Sequence, residues 1–245
     1  MILNVNPPDK LRKVSFTFIG ELNDFLPHYR RGTSFIIECE AHQTIKHLIE
    51  SLGVPHTEFG QVLVNGQPVE PSERLQDGDQ VTVYPADFPL PGEPCFILDN
   101  HLGQLATYLR MLGFDSLYRN DYQDDELSKV SSEEGRTLLT RDRRLLMRKT
   151  IRHGYCIHQT DPRRQAAEVL KRFKLSGQVK PFQRCLRCNS RLQAVDKADI
   201  IERLEPLTKI YYDEFHICPS CNQVYWKGSH YGHMQELIKE LADQI

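Results

Sequence analysis

Four of the seven cysteines stand in two Cys-x-x-Cys pairs, a spacing that binds metal in many proteins. Cys185 and Cys188 form the first pair, and Cys218 and Cys221 form the second, with 29 residues between the pairs. Each pair places two thiolates on one side of a tight turn, and two such turns complete a tetrahedral Zn–S₄ shell. Four thiolates leave no coordination position for water, so we predict a structural zinc whose binding stabilises the fold. Other candidate ligands nearby are His216, His230 and His233.

Three aspartates are placed where a second, harder metal could bind. Asp99 and Asp142 each follow an apolar run that predicts a strand, and Asp124 opens the predicted helix between them. Ligands of open parallel sheets bind at the carboxyl ends of the strands, so we expect these side chains at one rim. Converging carboxylates favour Mg²⁺ or Mn²⁺, and such a site suits phosphodiester cleavage. The structural alternative is that each aspartate only caps a turn or helix, and Asp124 is a candidate N-cap.

The charge of the chain is strongly uneven. The net charge is only −2, yet residues 136–191 carry 16 Lys/Arg against 3 Asp/Glu, whereas residues 91–135 carry 3 against 9. This pattern predicts an acidic site beside a surface that binds a polyanion. We expect Arg141, Arg143 and Arg144 to bind phosphates of a nucleic acid. The alternative is two solvated faces of opposite sign.

The elements that position these groups belong to an α/β domain over 95–176. Short apolar runs alternate with amphipathic helical patterns, which predicts a mainly parallel sheet with helices on both faces. The proline-rich stretch 87–94 predicts a linker ahead of this domain. The segment 183–245 contains the cysteine pairs and is predicted to form a zinc ribbon, with a strand at Ile210–Ile217 and a final helix. The apolar stripe of that helix consists of Met234, Leu237, Ile238 and Leu241.

The segment 11–87 predicts a separate small domain with the element order ββαββ. Asn65-Gly66 is a strong signal for a type I′ turn, and Thr44–Leu52 has a helical stripe. The segment resembles the ubiquitin-like carriers, especially in "LQDGDQVTVYP", and so implies a β-grasp fold. Those carriers end in a free Gly-Gly, which this chain lacks after Pro85. We therefore expect a module on which a protein docks, with a processed carrier as the alternative.

Several stretches together resemble the Mut-seven C-terminal RNase family, a PIN-like branch of nucleases with a zinc ribbon. They are "FILDNHLGQLATYLRMLGFD", "NDYQDDELSKVSSEEGRTLLTRDRRLL", "CLRCN" and "CPSCNQVYWKGSHYGHM". The resemblance implies nuclease chemistry, with Asp99, Asp124 and Asp142 as the acidic set. Asp121 and Asp125 are alternatives for the middle position, and Asp161 is either a fourth acid or a helix N-cap. The β-grasp segment is similar to a domain found fused to this family.

The predicted protein is thus a β-grasp domain, a PIN-like α/β domain and a zinc ribbon that together form a Mg/Mn-dependent ribonuclease. The alternative is an RNA-binding adaptor without catalysis. We expect Thr140 to bond Asp142, and Arg110 to be either a partner of an acid or a surface residue. Unpaired bases could stack on Tyr225, Trp226, His230 and Tyr231. No apolar run approaches the ~18 residues of a membrane span, and no signal sequence is visible, so we expect a cytoplasmic protein without a membrane partner.

Overall fold

The computed structural model describes residues 11–87, 90, 92–228, 231–232, 235–236 and 239–240. These residues form two compact units. The first unit contains the described chain up to Asp87 together with Asp142–Cys156. The second unit contains the described residues between Pro89 and Arg141 and those from Ile157 onwards. The segment Asp142–Cys156 therefore clusters with the N-terminal part, although it lies within the region predicted as the α/β domain.

The N-terminal part is a five-stranded mixed sheet with one helix. Its elements are β1 (Arg12–Phe18), β2 (Phe35–Cys39), α1 (Ile45–Ser51), β3 (Phe59–Val64), β4 (Gln67–Val69) and β5 (Gln80–Pro85). The strand order is β2-β1-β5-β3-β4, with β1 parallel to β5 and the other pairs antiparallel. Every second side chain of β1 is buried in the core, as the two-residue period of a strand requires. These side chains are Val14, Phe16 and Phe18. This topology confirms the predicted β-grasp fold.

The turn at Asn65-Gly66 joins β3 to β4. Both residues have positive φ, 51° and 79°, as a type I′ turn requires. The predicted turn is therefore confirmed, but β4 was not among the predicted strands. Thr44 caps α1 by accepting a hydrogen bond from the His47 amide at 3.2 Å.

The middle of the chain alternates strands and helices. Its elements are β6 (Cys95–Leu98), α2 (Gly103–Met111), β7 (Asp115–Tyr118), α3 (Asp124–Glu134), β8 (Thr137–Thr140), α4 (Arg143–Leu146), β9 (Gly154–Cys156) and α5 (Pro162–Arg172). In the second unit β6 pairs in parallel with β7 on one side and with β8 on the other. Phe96, Ile97 and Leu98 are all fully buried, so both faces of β6 are covered. This confirms the predicted parallel sheet.

The cysteine-rich part forms a small antiparallel sheet with its own core. Its elements are β10 (Gln193–Val195), α6 (Lys197–Ile200), α7 (Pro206–Tyr211), β11 (Phe215–Ile217) and β12 (Val224–Trp226). The core consists of Ile200, Leu204, Phe215 and Val224. The predicted strand at Ile210–Ile217 is too long: α7 occupies its start, because Pro206 at the first helical position favours a helix there.

The final helix was predicted from apolar residues that lie outside the described part of the chain, namely Met234, Leu237, Ile238 and Leu241. Among the residues that are described, no helix has the length and apolar character needed to cross a bilayer.

Candidate functional site

The four cysteines of the two pairs lie together in the second unit. Their Sγ atoms are all within 4.8 Å of one another. Cys185 Sγ lies 3.5 Å from Cys221 Sγ, and Cys188 Sγ lies 3.3 Å from Cys218 Sγ. Sulfurs bound tetrahedrally at about 2.3 Å from zinc are roughly 3.8 Å apart, whereas disulfide sulfurs are only about 2.05 Å apart. The cysteines are free thiols, and their cluster has the size of a metal site.

Each Cys-x-x-Cys pair is followed by an asparagine that shapes the turn. Asn189 has φ of 70° and Asn222 has φ of 57°, a left-handed conformation that asparagine tolerates. The Asn189 amide donates to the Cys185 carbonyl, and the Asn222 amide donates to the Cys218 carbonyl, both at 2.9 Å. The repeated Cys-x-x-Cys-Asn pattern therefore builds the same turn twice.

Hydrogen bonds surround the sulfurs. The Tyr225 hydroxyl lies 3.1 Å from Cys185 Sγ and accepts a hydrogen bond from the Leu186 amide at 3.0 Å. Burial and the neighbouring sulfur raise the pKa of Tyr225, so its hydroxyl keeps a proton to donate to that sulfur. Burial disfavours the Cys188 thiolate, but hydrogen bonds from Ser190 and neighbouring thiols outweigh it and lower the pKa of Cys188 to about 6. The thiolate is the form that binds metal.

Arg110 reaches the first cysteine turn from α2. Only 4% of this residue is exposed, so the prediction of a surface residue is wrong. Its Nε donates to the Ser116 carbonyl at 2.9 Å, and its Nη1 donates to the carbonyls of Leu186 and Arg187 at 3.0 and 3.1 Å. These hydrogen bonds go to main-chain carbonyls rather than to the predicted carboxylate. Arg110 thus joins α2 to the turn that holds two of the thiols.

Asp115, at the start of β7, supports the same turn and was missed in the sequence. Its Oδ1 accepts hydrogen bonds from Arg136 at 2.7 Å and from Asn189 at 2.8 Å, and its Oδ2 lies 3.0 Å from Arg184 Nη2. Burial raises the pKa of Asp115, but these partners lower it by more, so the carboxyl stays ionised. No motif marks Asp115, because its partners come from two distant parts of the chain, Arg136 ahead of β8 and Arg184 with Asn189 at the first cysteine turn.

Asp99 lies directly after β6, and its carboxylate is held on both oxygens. Thr140, the last residue of β8, donates its hydroxyl to Asp99 Oδ2 at 2.6 Å. The Asn100 amide donates to Asp99 Oδ1, also at 2.6 Å. This places the carboxylate at the carboxyl ends of two neighbouring parallel strands. Thr140 thus orients Asp99, and the expected bond from Thr140 to Asp142 stays a prediction.

Asp124 is the first residue of α3 and is exposed. The N-cap of α3 is Gln123, whose amide donates to Glu126 at 3.1 Å, so the alternative of Asp124 as N-cap is wrong. Of the other middle candidates, Asp121 forms a two-pronged ion pair with Arg119 at 2.9 and 2.7 Å. The remaining candidate is Asp125, which is exposed in the first turn of α3.

Asp142 and Asp161 both cap helices. Asp142 accepts a hydrogen bond from the Arg144 amide at 2.8 Å at the start of α4. Asp161 accepts from the amides of Arg163 and Arg164 at 3.1 and 3.0 Å at the start of α5, which confirms its interpretation as an N-cap.

The three predicted acids are divided between the two units. Asp99 and Asp124 belong to the second unit and Asp142 to the first. Among the described residues, the four cysteines are the one set of three or more potential metal ligands whose donor atoms all lie within 4.8 Å of one another, and the acids do not form such a set. The joint action of the acids therefore stays a prediction.

The three arginines predicted to bind phosphates differ in their contacts. Arg143 donates to the carbonyl of Phe25 at 2.9 Å and to the carbonyl of Asp24 at 3.1 Å, and its guanidinium lies 4.8 Å from the centre of the Phe25 ring. Arg141 and Arg144 are exposed. The protein contacts of Arg143 leave Arg141 and Arg144 as the better candidates for RNA binding, which remains a prediction for all three.

An apolar cavity of about 270 Å³ beside β12 is lined by two of the predicted stacking residues, Trp226 and Tyr231. Tyr231 stacks on Phe182 with ring centres 4.4 Å apart, and Trp226 is 38% exposed. Tyr225 also lines this cavity, while its hydroxyl faces Cys185. His230, together with the alternative zinc ligand His233, lies outside the described residues. Base stacking here stays a prediction.

The chain combines a ubiquitin-like sheet, a parallel α/β sheet and a small sheet that carries a cluster of four cysteine thiols. Residues 94–238 match the Mut7-C RNAse domain, and residues 11–90 match the Mut7-C ubiquitin domain. Because the first match covers more than half of the chain, the chain belongs to the Mut7-C RNAse domain family. The resemblance described above is therefore confirmed.

No curated protein matches this chain. Among solved structures, the crystal structure of SAMP1 from Haloferax volcanii is similar, with 16% sequence identity over 30% of this chain and 94% of that chain. The TM-score of 0.25 is low, and the β-grasp assignment rests on the strand topology and on the family match instead.

Proposed function

We propose that this chain is a divalent-metal-dependent ribonuclease, with Asp99, Asp124 and Asp142 as the ligands of Mg²⁺ or Mn²⁺. The observation that carries the proposal is the carboxylate of Asp99. It lies at the ends of two parallel strands, within a chain that belongs to an RNAse family. A strand-end carboxylate in this position is where an α/β sheet binds its ligand.

The surroundings of Asp99 fit a hard cation. Its two oxygens accept from a hydroxyl and a main-chain amide, both neutral, so its negative charge is not neutralised by these donors. The side-chain oxygen of the next residue, Asn100, is buried and accepts no hydrogen bond. Carboxylate and amide oxygens are the ligands that Mg²⁺ and Mn²⁺ prefer.

The residues of the chain would divide the work. Thr140 keeps Asp99 in one rotamer, so that its oxygens are oriented before RNA binds. Arg141 and Arg144 bind phosphates and hold the RNA against the acidic residues. When bound, the cation supplies Lewis-acid stabilisation of the charge that develops on the phosphodiester.

The four cysteines fit a structural zinc rather than a catalytic one. Four thiols would take all four positions of a tetrahedral ion, and hydrogen bonds from Tyr225 and Ser190 reach two of the sulfurs. Second-layer hydrogen bonds of this kind orient metal ligands. The zinc then contributes to the stability of the ribbon.

The nuclease proposal is tested by Asp142→Asn, with Asp161→Asn as the matched control. Both aspartates cap helices, and asparagine caps about as well as aspartate, so both variants should fold. We expect cleavage of single-stranded and structured RNA with Mg²⁺ or Mn²⁺ to fall by about three orders of magnitude or more in Asp142→Asn only. RNA binding should persist, because the basic residues are unchanged.

Cleavage that survives Asp142→Asn would contradict the proposal. If the wild-type protein binds RNA with no metal-dependent cleavage, the chain is an RNA-binding adaptor instead.

The zinc assignment is tested by elemental analysis of the purified chain. We expect about one zinc per chain in the wild-type protein. Cys218→Ser should lose it, while Cys95→Ser, a change of a cysteine outside the cluster, should keep it. A folded ribbon without metal would refute the assignment.

A further inference from the structure

The segment Asp142–Cys156 packs on the ubiquitin-like domain within the first unit. At its start, Arg143 donates two hydrogen bonds to carbonyls that follow β1 in the chain, those of Phe25 and Asp24. Its guanidinium also stacks on the Phe25 ring, which is itself 4% exposed. Two hydrogen bonds and a ring contact fix one rotamer of a long side chain, and Arg143 is the neighbour of Asp142.

A second contact holds the middle of the segment. His56 Nε2 donates to the Ile151 carbonyl at 2.8 Å, and the other ring nitrogen lies 2.8 Å from the carboxylate of Glu50. Glu50 belongs to α1, so the ring is oriented from the ubiquitin-like side. Ile151 is fully buried.

A third contact holds the end of the segment. Glu58 is 2% exposed, and its Oε1 accepts a hydrogen bond from the Cys156 amide at 2.6 Å. Burying a carboxylate is costly unless hydrogen bonds compensate, so this bond resists opening. Cys156 is the last residue of β9.

These contacts hold the segment at its start, middle and end. We propose that the ubiquitin-like domain is an internal clamp on residues 142–156, and that His56, Glu58 and Arg143 are positioning residues for Asp142. The clamp fixes α4, whose N-cap is Asp142. The catalytic part of this inference rests on the proposed function, because it takes Asp142 as a metal ligand.

The clamp gives the ubiquitin-like domain an occupant from its own chain. The sequence predicted a module on which a protein docks, and the segment 142–156 meets that description in cis. No separate partner and no carrier chemistry are needed for this role.

The test uses the full chain with His56→Ala and Glu58→Ala, both of which leave the predicted RNA-binding arginines in the sequence. Glu58→Gln, which keeps the acceptor oxygen, is the rescue variant, and His42→Ala, an exposed histidine of the same domain, is the control. Three quantities are measured: amide hydrogen exchange in residues 142–156, the Mn²⁺ concentration that gives half-maximal RNA cleavage, and RNA affinity.

We expect both alanine variants to speed exchange in residues 142–156 by about ten-fold, because the segment opens locally more often. The half-maximal Mn²⁺ concentration should rise by about ten-fold, since a mobile Asp142 binds metal less well. RNA affinity should be unchanged, Glu58→Gln should behave nearly as the wild type, and His42→Ala should have no effect. If Glu58→Ala does not fold, His56→Ala carries the test alone.

Unchanged exchange in residues 142–156 would overturn the clamp. Faster exchange with an unchanged Mn²⁺ requirement would overturn the positioning of Asp142. If the wild-type protein shows no cleavage that depends on Asp142, the proposed function and this positioning role both fail, and the exchange measurement still decides whether the clamp exists.

Discussion

The four cysteines and the three acids Asp99, Asp124 and Asp142 were both predicted as metal sites, but the two sets of residues come from different kinds of local structure. Each cysteine pair lies within one turn, and hydrogen bonds of a few residues close that turn. The acids come from separate elements: Asp99 follows β6, Asp124 begins α3 and Asp142 caps α4. A site made of short turns is determined locally, whereas a site made of strand ends depends on how the whole sheet assembles.

The two regions also differ in how fully their polar groups are paired. Around the cysteine turn, Arg110 and Asp115 each make three hydrogen bonds or ion pairs. At Asp99 the two donors are neutral, and the neighbouring Asn100 oxygen accepts no hydrogen bond. Polar groups with all their hydrogen-bond partners stabilise a structure, while an oxygen that can accept further hydrogen bonds can also bind a ligand.

The largest expected effect concerns the acids. If it is absent, the acids are not a metal site and cannot be compared with the cysteine cluster as one. Asp99→Asn should reduce RNA cleavage by about three orders of magnitude or more, and Asp99→Asn combined with Asp142→Asn should be little worse, because metal ligands act as a unit. The midpoint temperature of thermal unfolding should be unchanged or rise slightly, since the loss of one carboxylate charge relieves its repulsion by the other acids. Cleavage rates of the two single variants and the double variant, measured on one RNA, check this.

Additive losses in that series would show that the two acids work independently. Asp213→Asn, at an exposed ion pair with Lys197, is the control and should cleave normally.

The second effect concerns the support of the cysteine turn. Arg110→Met keeps an apolar stem but leaves three main-chain carbonyls without their donor, one buried and two part-buried, at a cost of roughly 2–4 kcal/mol. Chemical unfolding followed in the second unit measures the loss. Arg187→Met, at an exposed arginine of the same turn, should cost little. Equal stability of the two variants would mean that the buried network contributes nothing to the ribbon.

A smaller effect separates RNA binding from catalysis. Replacing Arg141 and Arg144 together with alanine should weaken RNA binding by about ten-fold and reduce its salt dependence, because phosphate contacts release counterions. Binding is measured at several salt concentrations with the charge-matched control in which Lys13 and Lys46 become alanine. A salt slope equal to that of the control would show that the two arginines are only solvated.

The smallest expected effect concerns the hydrogen bond between the Tyr225 hydroxyl and the Cys185 sulfur. Tyr225→Phe removes one hydroxyl that faces Cys185 and should cost about 1 kcal/mol of zinc affinity, or roughly five-fold. Competition with a chromogenic chelator measures it, and Tyr211→Phe, which is exposed, is the control. An unchanged affinity would show that the hydroxyl only packs there.

The sequence predicted most elements whose signals are local. Asn65-Gly66 has the two positive φ values of the expected turn, and Thr44 begins α1 as its cap. A prediction was wrong where the apolar residues fit both the helical period of 3.6 residues and the strand period of two. The run Ile210–Ile217 contains the end of α7 and then β11, because a single stretch of apolar and aromatic residues does not distinguish helix from strand.

The sequence by itself determined how the two sulfurs of each cysteine pair are arranged, because a spacing of two residues within a turn leaves the sulfurs little freedom. It also placed Asp99 at a strand end, because the apolar run Cys95–Leu98 is too short for a helix and follows a proline-rich stretch. Only the tertiary structure decided the partners of the long and polar side chains. Arg110 reaches the cysteine turn 76 residues away, and Arg143 reaches Phe25, 118 residues away. Such contacts follow from the packing of whole elements, since a guanidinium bonds any acceptor that the fold brings within its reach.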